Sequence, residues 1–357
     1  MRAPQVREIP PDITLVIPVP LLERIRSEAA PSEALGRLTP ASFSILVEQG
    51  WLRLLIPASV GGLEYALPDL LALQEAASWA DGSFGWVLAL CGGAGFFAGF
   101  IGEPLARSLF GPPDVCAAGT GFPAGTADEV PGGYRVSGHW RYASGAPQAT
   151  LYTANCRMTV KGEPLYDEAG APLVRAVIFL PDQVTLQDGW QSLGLRATAS
   201  QDMIVHEAFV PAARTFTLDH PFPHAQGPLY HYPFLQQAEA VLSVTLLGMA
   251  RHFLDLFEKL LLPRFPAPVA VIATNLERMR QEYYEVVGAS WANPTDADLL
   301  GAVGRVARRA AATALRCADE LYPYGGMEMM RMGAEINRVW RDIHTASQHT
   351  LLSPSRD

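Results

Sequence analysis

The sequence predicts an α+β protein in three parts: an N-terminal α-helical domain over residues 1–110, a central antiparallel, β-barrel-like domain over 111–212, and a C-terminal four-helix bundle over 213–357. Three observations predict it. Apolar residues recur at helical spacing as far as Phe110. At Gly111-Pro112-Pro113 the pattern changes to short strand-like runs divided by Pro, Gly and Asp turns. After Pro233 long helical stretches return with short breaks between them, the pattern of antiparallel helices.

The elements follow in order. Residues 1 to about 20 are proline-rich (Pro4, Pro10, Pro11, Pro18, Pro20) and read as irregular. A first helix is predicted over Leu21–Ala29 and a second over Ala41–Gln49, stopped by Gly50. Pro68 starts an amphipathic helix, with Leu67, Leu70, Leu71 and Leu73 on its apolar side and Asp69 at its positive end. Ser83–Gly102 carries no charge and is long enough to span a bilayer. It is broken by glycines and has no basic cluster at either end, so it reads as a buried helix pair. Strands are predicted at Tyr134–Val136, Ala149–Cys156 and Val174–Leu180, and bundle helices at Phe234–Leu262, Val271–Val287, Asp296–Leu321 and Ala334–Leu351.

A chain of 357 residues that is 49% hydrophobic and 18% charged buries a large core. Its net charge of -9 excludes a phosphate backbone as a partner. The four cysteines (Cys91, Cys116, Cys156, Cys317) form no CxxC, and no secretory leader is evident, so they read as buried thiols of a reducing, cytoplasmic compartment.

The stretch with most chemical content is Gly119–Gly145, GTGFPAGTADEVPGGYRVSGHWRYASG. Glycines allow backbone to approach a flat ligand, and hydroxyls can bond its heteroatoms. Taken alone the stretch reads first as an ordinary Gly-rich β-meander with a turn at Pro131-Gly132-Gly133.

Motifs at separated points resemble the acyl-CoA dehydrogenase superfamily. Ile56–Gly62 (IPASVGG) resembles its P-x-x-x-GG segment and Asp81–Trp86 (DGSFGW) its D-x-S-x-x-W turn. Gly138–Gly145 (GHWRYASG) resembles its GxKxWITNG strand, and Gly194–Asp202 (GLRATASQD) its GxRxTxSxD segment, followed by Val210-Pro211. Tyr324-Gly325-Gly326 and Arg341-Asp342 match its GG loop and the RD of its last helix. The likeness covers residues 40 to 350, roughly, and implies that family's fold and a flavin cofactor. It places Tyr142 against the flavin ring, Ser144 at flavin N5, Thr120 beside the pyrimidine edge, and Thr126 at the Ser of a GSD motif, with Gly119, Gly121 and Gly125 letting backbone amides approach the ring. Gly325 and Gly326 fall in the family's cofactor-binding GG loop.

The family's dehydrogenases need a carboxylate base. In many members it is a Glu eight residues after the Asp of RD, which here is Thr350. Gln348 and His349 stand beside it, and RDxxxxxQH together with GxWxxxSG resembles the two-component flavin-dependent monooxygenases. In that subgroup a separate reductase supplies reduced flavin, O2 reacts with it, and a His and a Ser near N5 assist. The resemblance thus implies a monooxygenase-like flavin-dependent oxidoreductase acting on a small organic substrate, with Ser144 and His349 as catalytic residues. The implied cofactor is FAD or FMN, weakly held, and the implied assembly a homodimer or homotetramer.

An acyl-CoA dehydrogenase with a relocated base, or a flavin-less binding protein, are the alternatives. Three departures bear on them: Gly121 and Ala127 replace the acidic residues of the family's TEPxAGSD, Leu260–Val269 interrupts the bundle, and the bundle is short. His220, His224 and His231 have no Cys nearby and read as a solvated loop, with no metal assigned. Arg305, Arg308 and Arg309 read as a helix face paired with acids.

Overall fold

A computed structural model describes residues 13–218, 223–261 and 266–353. The proline-rich stretch at 1–12, His220 and part of the 260–269 break lie outside the described residues.

The first segment forms α1 (Val19–Leu35), α2 (Pro40–Glu48), α3 (Leu67–Ala80), α4 (Gly82–Val87) and α5 (Glu103–Phe110). Local chemistry sets their ends. Thr39 caps α2 by accepting from Ser42 N, and Gly50 follows it in the left-handed region at φ 66°. Pro68 occupies the first turn of α3, and Leu67, Leu70, Leu71 and Leu73 are all buried. Asp81 turns the chain between α3 and α4, its Oδ1 accepting from Phe84 N at 2.8 Å.

After α4 the uncharged segment winds as a π turn (Leu88–Gly92) and then a 3-10 stretch (Ala94–Phe100). Gly82–Phe100 and Phe234–Leu260 are each long and apolar enough to cross a membrane, yet 83% of each apolar window is buried against protein. The buried-helix expectation for 83–102 therefore holds, with two wider and tighter windings in place of a plain helix pair.

The chain then builds an eight-stranded sheet. In chain order the strands are β1 (Ala117–Val130), β2 (Gly133–Ala143), β3 (Leu151–Val160), β4 (Glu163–Pro164), β5 (Val174–Phe179), β6 (Thr185–Gln187), β7 (Gln201–Pro211) and β8 (Thr215–Phe216). Their order in space is β6-β7-β2-β1-β3-β5-β8, with β4 on β3. Strands β1 and β2 form a hairpin through Pro131-Gly132, where Gly132 has φ 83°. The pairings are antiparallel except β1 with β3, which run parallel. Trp140 fills the sheet's own core, packed on Phe179 with ring centres 5.8 Å apart.

Gly125 and Gly138 face each other across the hairpin, and a Cβ on either would collide with the Trp140 ring. Gly125→Ala is therefore expected to cost about 1–3 kcal/mol by overpacking. A urea midpoint that does not move would refute this.

The bundle comprises α6 (Phe234–Leu261), α7 (Pro266–Ala292), α8 (Ala297–Leu321) and α9 (Glu335–Ala346). Asp296 caps α8 by accepting from Asp298 N and Leu299 N. Arg308 pairs with Glu239 at 3.6 Å and Arg309 with Glu282, so those arginines serve the bundle. One hydrophobic core runs from Ile17 through α3 and α4 into α6, α8 and α9, so the first helices and the bundle bury their apolar faces against each other. The sequence extends the last helix to Leu351. In the structure α9 ends at Ala346, and a separate 3-10 turn, Thr350–Leu352, follows.

Candidate active site at the end of strand β2

Ser144 follows β2 directly, and local irregularity sets its direction. The ladder between β2 and β7 slips between Trp140 and Ala143, and within the slip Tyr142 has φ 70°. A non-glycine residue in the left-handed region stores about 1–3 kcal/mol of strain, a cost concentrated at ligand sites. The slip turns Tyr142 outward, 57% exposed and edge-on to Trp190, while Ala143 and Ser144 turn inward.

Gly145 then reverses the chain at φ 74°, its N–H donating to Thr198 O at 2.7 Å. A Cβ there would strike Cys91 Sγ on the π turn. The Cys91 thiol donates to Ser144 O at 3.3 Å, and Cys116 beside it together with burial raises its pKa well above the usual thiol value.

The Ser144 hydroxyl is 3.2 Å from Trp86 Nε1, which donates to it, and 2.8 Å from Ser200 Oγ. Ser200 Oγ lies 2.7 Å from Thr198 Oγ1, which donates to Leu195 O at 2.8 Å. Trp86 also packs edge-on against His349, with ring centres 5.9 Å apart. The indole thus stands between the two residues proposed to be catalytic, its N–H on Ser144 and its ring on His349. His349 heads the turn beyond α9, and its Nδ1 accepts from Leu351 N at 3.3 Å. That bond puts the proton of a neutral imidazole on Nε2. The sequence places Asp342 and His349 on one helix face; because α9 stops at Ala346, they share no face.

Helix α9 grips the loop that carries Thr198 and Ser200. Arg341 Nη1 donates to Leu193 O at 2.9 Å and pairs with Glu33 at 2.5 Å, and its Nε donates to Asn337 Oδ1. Gly194 N donates to Thr345 Oγ1 at 2.8 Å, and Leu195 N donates to Asp342 Oδ1 at 2.5 Å. Burial, and next the charge of Asp81, push Asp342 up to about 8, against the pull of the Leu195 N–H and Arg338. Leu195 (φ 51°) and Ala199 (φ 44°) bracket the loop in the left-handed region.

The remaining predicted residues are spread out. Thr120 and Gly121 lie where β1 loses register with β3, between Thr120 and Gly125, and where pairing with β2 has not begun. A Cβ on Gly121 would meet no protein atom within 4 Å, so the backbone there is open to a flat ligand. Gly119 and Gly125 are small for another reason, making room for Thr153 and Trp140. Thr126 is exposed and paired with Ser137, beyond that opening. Gly325 packs on Met329, and Gly326 has φ 58°, in the turn between α8 and α9. Gly325 N bonds Tyr322 O, whereas the Ser144 hydroxyl meets Trp86 and Ser200. The open backbone at Gly121 and the outward Tyr142 leave space for a flat heteroaromatic group, while Ser144, at the end of β2, is turned inward. Trp86, Thr198 and Ser200 were not singled out from the sequence as site residues, although the motifs DGSFGW and GLRATASQD contain them.

Comparison with known proteins accords with this geometry. Residues 240–354 match the family described as acyl-CoA dehydrogenase, C-terminal domain. Over 94% of both chains the protein is 26% identical to the oxygenase subunit HsaA of a flavin-dependent monooxygenase of Rhodococcus jostii. It is 28% identical to indole-3-acetate monooxygenase of Pseudomonas putida, over 85% of this chain and 81% of that one. The crystal structure of 3-HSA hydroxylase from Rhodococcus sp. RHA1 superposes with a TM-score of 0.87, at 23% identity, over 96% of this chain and 94% of that one. In its helix–sheet–bundle order and its matched bundle the chain is similar to the acyl-CoA dehydrogenase superfamily, and among these relatives its similarity runs to the oxygenase subunits of flavin-dependent monooxygenases.

Proposed function

We propose that this protein is the oxygenase component of a flavin-dependent monooxygenase, taking reduced flavin from a separate reductase and oxidising a small organic substrate with O2. The observation that carries the reading is the Ser144–Trp86–His349 arrangement in a fold shared with such oxygenases over nearly the whole chain. When bound, reduced flavin supplies the electrons that activate O2. Thr120, Gly121 and Tyr142 would hold its ring, Ser144 would meet N5, and the His349 imidazole would move a proton beside it. A dehydrogenase base is not supported at the family's position, because Thr350 is an exposed residue of a 3-10 turn. Asp342 is buried and bound to the Leu195 N–H.

The test is oxygen consumption driven by NADH with FAD, an added flavin reductase and candidate phenols or indoles. Substrate-dependent consumption with hydroxylated product is expected. Reduction of a dye by acyl-CoA alone, with no reductase, would refute the proposal. His349→Ala is expected to slow turnover by about a hundredfold, the scale of one lost acid–base group. Flavin affinity in that variant should stay within a few-fold of the parent, and an unchanged turnover would remove His349 from the mechanism.

We also propose that the protein works in the cytoplasm as a dimer or tetramer. All four cysteines are free and buried, as suits a reducing compartment. Met327, Met330 and Met332 are each more than half exposed on the turn that carries Gly325 and Gly326, an apolar patch suited to a second copy. Light scattering at micromolar concentration tests the assembly, and a monomeric mass would overturn it.

A further inference from the structure

We infer that Thr198 and Ser200 fix the direction of the Ser144 hydroxyl proton, so that Ser144 meets a bound flavin as a hydrogen-bond acceptor and selects its reduced form. The inference rests on the flavin reading above, and it follows from counting protons along a chain of four oxygens. A backbone carbonyl only accepts, so at 2.8 Å from Leu195 O the Thr198 hydroxyl commits its single proton there. Having none left, Thr198 must accept in its 2.7 Å contact with Ser200. Ser200 therefore spends its own proton on Thr198 and must accept in its 2.8 Å contact with Ser144. At the other end, the Trp86 indole N–H only donates, so it takes one lone pair of Ser144. Ser144 is left with one lone pair and no proton to offer.

The reverse polarity is disfavoured by the same chain. For Ser144 to keep its proton, Ser200 and Thr198 would both turn round, and Thr198 Oγ1 would face Leu195 O lone pair to lone pair. All three hydroxyl residues are nearly or fully buried (Ser144 3%, Thr198 0%, Ser200 2% exposed), so water does not readily make up the loss. The carbonyl at the end of the chain is itself held, because Leu195 N is bound to Asp342 Oδ1 and Trp190 Nε1 donates to Leu195 O. The polarity of Ser144 is thus set by a loop more than 50 residues away in sequence.

The two redox states of a flavin differ at the atom concerned. Reduced flavin carries a hydrogen on N5 and donates, whereas oxidised N5 offers only a lone pair. A lone-pair-only Ser144 therefore bonds the reduced form and faces the oxidised form acceptor to acceptor. Thr198 and Ser200 act as positioning residues, since they work through Ser144.

The experiment measures dissociation constants for FAD and for dithionite-reduced FAD, anaerobically, by quenching of protein fluorescence. The wild type is expected to bind reduced FAD at least about tenfold tighter, the scale of one hydrogen bond made rather than opposed. Ser200→Ala leaves the Ser144 proton without its acceptor and free to reach N5. Its ratio should fall several-fold, chiefly through tighter binding of oxidised FAD, a gain that a merely damaged site would not show. Thr198→Val should act in the same direction, and Thr198→Ser, which keeps the hydroxyl, should retain the wild-type ratio. Equal affinity of the wild type for both forms overturns the inference alone, as does an unchanged ratio in both Ser200→Ala and Thr198→Val. Binding of neither form by the wild type overturns the flavin reading, and this inference with it.

Discussion

Replacing Arg341 by alanine is expected to lower the unfolding free energy by about 3–5 kcal/mol, the cost of removing one partner of a buried ion pair. Its side chain is 2% exposed and bonds three different segments: Glu33 at the end of α1, Leu193 O in the loop before Thr198, and Asn337 within α9. Removal leaves the Glu33 carboxylate uncompensated and Leu193 O without its donor. Arg341→Lys should recover little, because one ammonium cannot reproduce a planar fork directed at separate acceptors. Urea unfolding followed by circular dichroism checks this, and a loss below about 1 kcal/mol would refute the ion-pair account. The loop released is the one that orients Ser200, so flavin discrimination should weaken in any folded Arg341 variant.

Asp342 is expected to make stability fall as pH rises through neutrality. Its folded pKa of about 8 stands far above the ordinary 3.8, because the carboxyl is buried beside Asp81, itself raised by burial. The folded protein therefore binds more protons than the unfolded chain between about pH 4 and pH 8. The contribution is fully present below that window and is lost as pH rises through it, with a slope approaching about 1.4 kcal/mol per pH unit, the limit for one proton. Asp342→Asn keeps an oxygen for the Leu195 N–H while removing the titration. The difference between variant and parent should hence favour the variant increasingly toward pH 8, and parallel pH profiles would sink the assignment. Taking the difference cancels groups with the opposite trend, such as Glu335, whose pKa is lowered first by the hydrogen bond from His252.

Which elements form, and in what order, was legible in the sequence because the signals are local. Pro68 with Asp69, the Asp296 cap, Gly50 after α2 and the Pro131-Gly132 turn each act within a few residues, and each marks the boundary seen. The end of α9 was not legible. No glycine or proline lies between Ala346 and Leu351, so helical spacing alone carried the expectation through to Leu351.

Ser144 was singled out from the strand motif that contains it, and His349 from its place after Arg341-Asp342. Their connection was not. Trp86 joins them from α4, 58 residues before Ser144, and the parallel pairing of β1 with β3 appears in no local pattern. The glycines show the same division. The sequence marks a Gly-rich stretch, but only packing distinguishes Gly121, which faces open space, from Gly125, which makes room for Trp140.

The sequence by itself determined the three-part order, the element boundaries set by caps and turns, and the hydroxyl and imidazole offered for chemistry. Only the tertiary structure decided that Ser144 points inward, that Trp86 links it to His349, and that Ser200, itself in contact with Thr198, stands against its hydroxyl. The physical reason is range. Caps and turns are satisfied by neighbours in the chain, whereas the direction of a buried hydroxyl depends on which distant donors and acceptors folding places against it.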